Sequence, residues 1–279
     1  MTKKVATTVF IGGGNMASAL IGARIADGAA ARDFAVVEPV PAQRDALRNR
    51  FAGIHVFSAT AAAVIAGVSI VVFAVKPQDM RAAASALGPH VDDVPAVLTI
   101  AAGIRARDLS RWLGGYRRIV RAMPNTPALV RAGISGVYAA PGVSRDARDA
   151  AAAILRAGGD IVWCDNEDML DAITGVSGSG PAYVFYFLEA LEQAARELGF
   201  SEADARKLAY TTFAGAMTLA QKSDADPATL RAQVTSKGGT TERALTTLEA
   251  NRVKAGIVAA VKDAAKRAQE LGEEFGRDS

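Results

Sequence analysis

The sequence is poor in the side chains that most often carry acid–base or metal chemistry. Its 279 residues include one cysteine, Cys164, and two histidines, His55 and His90. A disulfide within the chain is excluded, and a structural zinc site would lack ligands, because it needs four nitrogen or sulfur donors. Two histidines leave Cys–His or Ser–His–Asp catalysis open, but the scarcity disfavours it. We therefore expect no metal and a chemistry that uses few titratable groups.

An excess of charge of one sign is also missing. The chain has 32 basic and 29 acidic residues, a net charge of +3. The densest basic cluster, Arg117, Arg118 and Arg121, lacks the interleaved aromatics typical of nucleic-acid binding. We interpret it as a solvated face and expect no nucleic-acid partner.

A long uncharged run covers residues 51–75 and reaches the length of a membrane-spanning helix. Gly53, Gly67 and Ser69 interrupt it, and it divides into a strand, a short helix and a buried strand, as in an α/β core. We expect no secretion signal at the N-terminus. We expect a cytoplasmic protein with no membrane partner.

The first half of the chain alternates β-rich runs with alanine-rich helical stretches. Strands are predicted at 7–12, 34–38, 54–57, 69–75, 96–102, 118–122, 136–140 and 160–163. This alternation predicts a doubly wound parallel sheet with helices on both faces. From residue 166 onward helical periodicity takes over. The predicted domains are an α/β domain at 1–165 and an all-helical domain at 166–279.

A glycine motif follows the first predicted strand and opens a helix. Gly12, Gly14 and Ala17 match the Rossmann-type dinucleotide pattern G-x-G-x-x-G/A. Gly12 permits the tight turn, and Gly14 lets the backbone approach a diphosphate at the helix N-terminus. The motif predicts a site for NADP(H) or NAD(H), with Gly13, Asn15 and Met16 as further contacts.

Other cofactor contacts are expected where later strands end. Glu38 ends the second strand, where an acidic group would bind the ribose 2′-hydroxyl of NAD(H), whereas Arg44 could accommodate the 2′-phosphate of NADP(H). Glu38 favours NAD(H) slightly. The remaining candidates are Val75, Lys76, Pro77, Ala102 and Asn125. Lys76 is equally compatible with a solvated loop cation.

Two segments of the helical half combine glycines with hydroxyl side chains, at 174–183 and 235–242. Both lead into helices and offer backbone N–H groups that can hold a carboxylate. The alternative interpretation is structural: these glycines and hydroxyl residues would only separate helices and let them pack closely.

These motifs together resemble pyrroline-5-carboxylate reductase, in order, from about residue 8 to residue 270. The residues that carry the resemblance lie at 10–17, 74–77, 125–127, 177–183 and 235–241. The resemblance implies NAD(P)H-dependent reduction of 1-pyrroline-5-carboxylate to L-proline, the last step of proline biosynthesis. It also implies a helical dimerisation domain, with dimers that assemble further into decamers.

The resemblance also implies site residues. The substrate carboxylate would be held by Ser236, Gly238, Gly239, Thr240 and Thr241. Thr241 would be the catalytic residue that hydrogen-bonds the ring nitrogen, and Glu167 would lie in the substrate pocket. The sequence departs from the family pattern at Lys237, often a proline, at Glu38, and at 59–61, where a common asparagine is missing.

Two other functions remain open at this point. A β-hydroxyacid dehydrogenase would need a basic lysine or histidine in the helical domain. Lysines are present there, but none lies in a recognisable motif. A non-catalytic nucleotide sensor would explain the glycine motif but not the loop at 235–242.

Overall fold

A computed structural model describes residues 7–277, so the predicted lack of a secretion signal concerns residues outside the described part. The described chain forms two compact units. One comprises the residues up to Ser179 together with those from Asp263 onward, and the other spans Gly180–Lys262. The predicted division at 165/166 stays a prediction. It differs from these units because the segment before Ser179 and the last helical turns pack within the sheet-containing unit.

The first unit is built on an eight-stranded sheet of order β3-β2-β1-β4-β5-β6-β7-β8. The strands are β1 (Thr8–Ile11), β2 (Phe34–Val37), β3 (His55–Phe57), β4 (Ile70–Phe73), β5 (Val97–Thr99), β6 (Ile119–Met123), β7 (Gly133–Ala139) and β8 (Gly159–Trp163). Its helices are α1 (Asn15–Ala26), α2 (Pro41–Arg50), α3 (Ala62–Ile65), α4 (Met80–Leu87), α5 (Ala106–Trp112), α6 (Arg145–Arg156) and α7 (Met169–Ile173). The predicted Rossmann-type fold is confirmed.

The central strands are apolar on both faces, as buried parallel strands require. Ile11, the last residue of β1, pairs with Val37 of β2 on one side and with Phe73 of β4 on the other. Side chains of the sheet alternate between two buried clusters, with Val9 in one and Phe10 in the other. The β1 end is therefore fixed between two neighbouring strand ends, where the glycine motif begins.

The sheet is not wholly parallel, which corrects the prediction. Strand β7 runs antiparallel to β6, with Met123 opposite Gly136. The connection between them contains only a 3₁₀ turn, Thr126–Val130, and is too short for the crossover that parallel neighbours need. Strand β8 is again parallel to β7, because α6 makes that crossover.

The second unit is helical. It contains α8 (Gly180–Glu197), α9 (Glu202–Gln221), α10 (Pro227–Gln233), α11 (Thr240–Ala250) and the start of α12 (Val253–Gly276). Side-chain oxygens cap two of these helices: Ser201 accepts from the Asp204 N–H and Asp226 from the Thr229 N–H. Among residues 7–277, no helix is both long and apolar enough to cross a membrane.

Candidate functional site

The glycine motif forms a turn between β1 and α1 that only glycine tolerates. Gly12 has a φ of +97°, and a Cβ there would lie 2.8 Å from the Ala74 carbonyl oxygen. At Gly14, by contrast, an added Cβ would meet nothing within 4 Å. Helix α1 then begins at Asn15 with no side-chain cap. Open space thus faces uncapped helical N–H groups, a geometry that fits the diphosphate of a dinucleotide.

Glu38 stands directly after β2 and is buried. Its Oε2 accepts the Gly13 N–H at 2.9 Å, and its Oε1 accepts the Val40 N–H at 2.9 Å. The carboxylate therefore ties the glycine turn to the end of β2. We call the turn 12–16, Glu38 and the segment 74–77 the cofactor cradle.

The later strand ends lie where the sequence predicted them. After β4, Val75 is half-buried, Lys76 is exposed, and Pro77 starts a 3₁₀ turn ahead of α4. After β5, Ala102 is half-buried beside Gly103. A Cβ at Gly103 would lie 3.0 Å from the Phe275 ring, so the last turns of α12 pack on this loop.

Asn125 follows β6 and is buried, and both its side-chain nitrogen and its side-chain oxygen form hydrogen bonds. Its Nδ2 donates to the Ser177 carbonyl at 3.1 Å, and its Oδ1 accepts the Ile134 N–H at 2.9 Å. Ser177 lies in a π-helical turn, Thr174–Gly178, that continues α7. Such turns leave carbonyls unpaired, and Asn125 satisfies one of them.

Glu167 lies in an ion-pair cluster, which we define as Arg105, Arg121, Glu167, Asp168 and Asp171. The two arginines and Asp171 are buried, and Asp168 lies at its exposed edge. Its Oε1 accepts the Arg121 Nη1 at 2.7 Å and the Ala106 N–H at 2.6 Å. The Arg121 side chain is only 5% exposed. Burial lowers the pKa of Arg121, and the charge of Glu167 opposes that shift. Arg121 was interpreted as part of a solvated face, and that interpretation is wrong because Glu167 neutralises it in the interior.

Arg105 completes the cluster from the residue before α5. Its guanidinium contacts Asp171 at 2.6 Å and Asp168 at 3.1 Å. A Cβ at Gly272 of α12 would lie 2.8 Å from the Arg105 Nε. Sequence reasoning missed this cluster, since no local pattern signals ion pairs between residues more than 60 positions apart.

The predicted substrate loop, which we define as residues 236–241, lies in the helical unit. Gly238 has a φ of +74° and donates its N–H to the Glu242 Oε2 at 2.7 Å. Gly239 donates to the Ser236 carbonyl at 3.1 Å and is the N-cap of α11. Thr240 and Thr241 form its first turn. The loop thus presents hydroxyls and helical N–H groups, a set of donors suited to a carboxylate.

No group of three or more potential metal ligands occurs in the described part of the chain. The fold and the cofactor cradle are those of a Rossmann-type dinucleotide-binding protein.

Comparisons with known proteins identify the family. Residues 167–271 match the family model for pyrroline-5-carboxylate reductase dimerisation, and residues 7–103 match NADP oxidoreductase coenzyme F420-dependent. The Pseudomonas aeruginosa pyrroline-5-carboxylate reductase is 43% identical over 96% of this chain and 97% of its own. The Escherichia coli enzyme is 36% identical over 97% and 99%, respectively.

Comparison with solved structures points to the same family. The Coxiella burnetii pyrroline-5-carboxylate reductase has a TM-score of 0.88 and 35% identity, covering 96% of this chain and 99% of that one. The Plasmodium falciparum pyrroline carboxylate reductase, solved with NADP bound, has a TM-score of 0.84 and 27% identity, with coverages of 97% and 100%.

The chain belongs to the pyrroline-5-carboxylate reductase family. The predicted family, the reductase function and the NAD(P)H cofactor are confirmed, and the β-hydroxyacid dehydrogenase alternative is not favoured. The dimerisation match supports an oligomer.

Proposed function

We propose that the chain reduces 1-pyrroline-5-carboxylate to L-proline by holding NAD(P)H in the cofactor cradle and the substrate carboxylate on the substrate loop. The observation that carries this proposal is the glycine turn at Gly12, which has no room for a side chain and opens onto uncapped N–H groups. When bound, NAD(P)H supplies the hydride. The chain's own task is to bind and orient, which accounts for much of the rate enhancement in such reactions.

The residues proposed to serve cofactor binding extend beyond the glycine turn. Those of the cradle are Gly12, Gly13, Gly14, Asn15, Met16, Glu38, Val75, Lys76 and Pro77. Two further ones, Ala102 and Asn125, follow later strands. The backbone at 12–16 would bind the diphosphate, and the later strand ends would line the path of the nicotinamide half. Glu38 and Asn125 would act through the backbone groups that they hold, since their side-chain atoms bond the protein itself.

The substrate loop offers hydrogen-bond donors without a dedicated arginine. The Ser236 and Thr240 hydroxyls would hold the carboxylate, and the Thr241 hydroxyl would hydrogen-bond the ring nitrogen. Gly238 and Gly239 would contribute by shaping the loop, since their N–H groups already bond Glu242 and Ser236. A protonated imine already makes the adjacent carbon electrophilic, so an orienting hydroxyl suffices and no strong general acid is needed. Glu167 was expected in the substrate pocket. We propose instead that it acts by positioning, since its Oε1 holds the Arg121 guanidinium and the Ala106 N–H.

The helical unit is proposed to form a homodimer, with dimers assembling into decamers. Tyr186 and Phe185 on α8 are 71% and 56% exposed, and Met217 on α9 is 56% exposed. Large exposed apolar side chains of this kind mark interfaces between copies.

We propose a cytoplasmic location, since a chain with one cysteine needs no oxidising compartment. A net charge of +3 gives no reason to propose a nucleic-acid partner.

The decisive experiment follows the oxidation of NADPH and of NADH by the purified chain with 1-pyrroline-5-carboxylate as substrate. We expect turnover with the imine and none with β-hydroxyacids. Replacing Thr241 with alanine should lower kcat/KM by about 10- to 1000-fold, the effect of losing one hydrogen bond made in the transition state. NADPH binding should survive that change. An unchanged rate in T241A would reject the role of Thr241, and cofactor binding without imine turnover would favour a nucleotide sensor.

A further inference from the structure

The substrate loop begins with a tight turn. The Gly239 N–H donates to the Ser236 carbonyl at 3.1 Å, and this bond closes a four-residue β-turn over 236–239. Gly238, the third residue of the turn, has a φ of +74°. A positive φ at the third position is the mark of a type II turn and favours glycine there. The turn leads directly into α11, whose N-cap is Gly239.

The second residue of a type II turn decides how firmly the turn is held. Proline is common at this position because its ring fixes the backbone φ at about −60°. This chain has Lys237 there, and lysine does not restrict φ in that way. Two adjacent glycines follow, and glycine loses more conformational freedom on ordering than any other residue. The turn therefore needs a restraint from another part of the chain.

Glu242 supplies such a restraint from the first turn of α11. Its Oε2 accepts the Gly238 N–H at 2.7 Å, and this bond joins the turn to the helix that follows it. A carboxylate at this end of a helix is also stabilised by the helix dipole. A Cβ at Gly239 would lie 2.5 Å from the Ser236 Oγ, so the serine hydroxyl lies close over the same turn. Glu242 thus restrains the segment that carries the proposed carboxylate donors.

We propose that Glu242 is a positioning residue for the substrate. By accepting the Gly238 N–H it holds the turn 236–239 in the conformation that binds the carboxylate, and so replaces the restraint that a proline at position 237 would give. This inference rests on the proposed function, since it assumes that the loop holds the substrate. The substrate carboxylate is the same in the ground state and in the transition state. Losing the restraint should therefore raise KM and leave kcat nearly unchanged.

The test is steady-state kinetics of the full-length chain with 1-pyrroline-5-carboxylate at saturating NADPH. Glu242→Ala should raise KM by about 10-fold, the lower end for losing a hydrogen bond to a charged group, because Glu242 is exposed. Glu242→Gln keeps an oxygen that can accept the same N–H, so its KM should stay within about threefold of wild type. A purely electrostatic effect would act in the opposite direction, since removing a negative charge beside an anionic substrate lowers KM in both variants.

A pair of double variants tests whether the lost restraint is conformational. E242A/K237P and E242A/K237A both lack the Lys237 charge, but only the first fixes the backbone φ at position 237. Proline at a compatible position reduces the freedom of the disordered chain. The KM of E242A/K237P should therefore be about two- to fivefold lower than that of E242A/K237A.

Glu249→Ala is the matched control. It removes an equal charge from α11, about two turns further along, where the carboxylate lies 4.0 Å from the Arg231 Nη1. Its KM should equal that of the wild type. Hydrogen–deuterium exchange of peptides covering 236–241 gives a readout that needs no activity. Exchange should be faster in E242A and close to the wild-type rate in E242Q and E249A.

Four outcomes would overturn the inference. They are an unchanged or lower KM in E242A, a KM in E242Q as high as that in E242A, a loss in kcat instead of a rise in KM, and equal KM values for the two double variants. Failure of the proposed function looks different. In that case the wild-type chain does not turn over 1-pyrroline-5-carboxylate with either coenzyme, while hydrogen exchange still reports the restraint of the loop by Glu242.

Discussion

Replacing Glu167 with alanine tests whether this residue stabilises the fold or serves only the substrate. The substitution leaves the Arg121 guanidinium, 5% exposed, without the carboxylate that lies 2.7 Å away, and it leaves the Ala106 N–H unpaired. Breaking a buried ion pair on one side costs about 3–5 kcal/mol. The Glu167 side chain is 22% exposed, so water can reach part of the site, and we expect the lower end, about 3 kcal/mol.

The matched control is Asp168→Ala. Asp168 is the next residue and also pairs with an arginine, at 3.1 Å, but its side chain is 89% exposed. Exposed pairs contribute less than about 1 kcal/mol. At about 2–4 °C per kcal/mol for a chain of this size, E167A should lower Tm by about 6–12 °C and D168A by less than about 4 °C. Differential scanning calorimetry measures both Tm values. An equal decrease in Tm for the two variants would refute the argument that the buried pair stabilises the fold.

Three further predictions concern the cradle and two buried groups. Gly12→Ala should abolish most NADPH binding in a fluorescence titration, because its Cβ would contact the Ala74 carbonyl; Gly53→Ala, with a φ of +90° and open space around it, is the control that should retain binding. Burial raises the pKa of Tyr116, so the stability that this shift contributes is present below pH 10 and is lost as pH rises further. In Tyr116→Phe the urea midpoint of unfolding should therefore decrease less steeply above pH 10. At neutral pH the substitution should lower the free energy of unfolding by about 1 kcal/mol. Burial also raises the pKa of the Cys164 thiol, which should react slowly with a disulfide reagent at pH 8 and at once after denaturation.

Much of the fold could be predicted because its signals are local. Helix α2 starts at Pro41, a residue suited to the first helical position, and α9 starts after Ser201, whose side chain caps it. The eight strands lie close to their predicted positions because each is an apolar run between breakers. The antiparallel direction of β7 was missed, because apolar periodicity is the same for either direction and only the length of the connection decides it.

The candidate site also has features that the sequence could predict and features that it could not. The glycine turn was predictable, since the need for glycine at position 12 arises from the backbone itself. The directions of the side chains were not. The sequence places Glu38 and Asn125 at strand ends but does not reveal that both point inward onto backbone groups. Arg121 and Glu167 are 46 positions apart, and no periodic pattern connects them.

The contacts of the buried charged side chains help to explain why the chain needs so little cysteine and histidine. In the described part of the chain, the buried charged groups Arg105, Arg121 and Asp171 belong to one ion-pair cluster. Asp108 pairs with Arg111 at 3.2 Å, and Glu38 bonds backbone N–H groups. Ionised side chains in the interior therefore serve the fold. The segments proposed to contact cofactor and substrate consist mainly of glycines, hydroxyls and helical N–H groups, which neither gain nor lose a proton near neutral pH. A reaction in which the cofactor supplies the hydride and the imine arrives protonated can proceed with such neutral donors, and this explains why a chain with two histidines suffices for it.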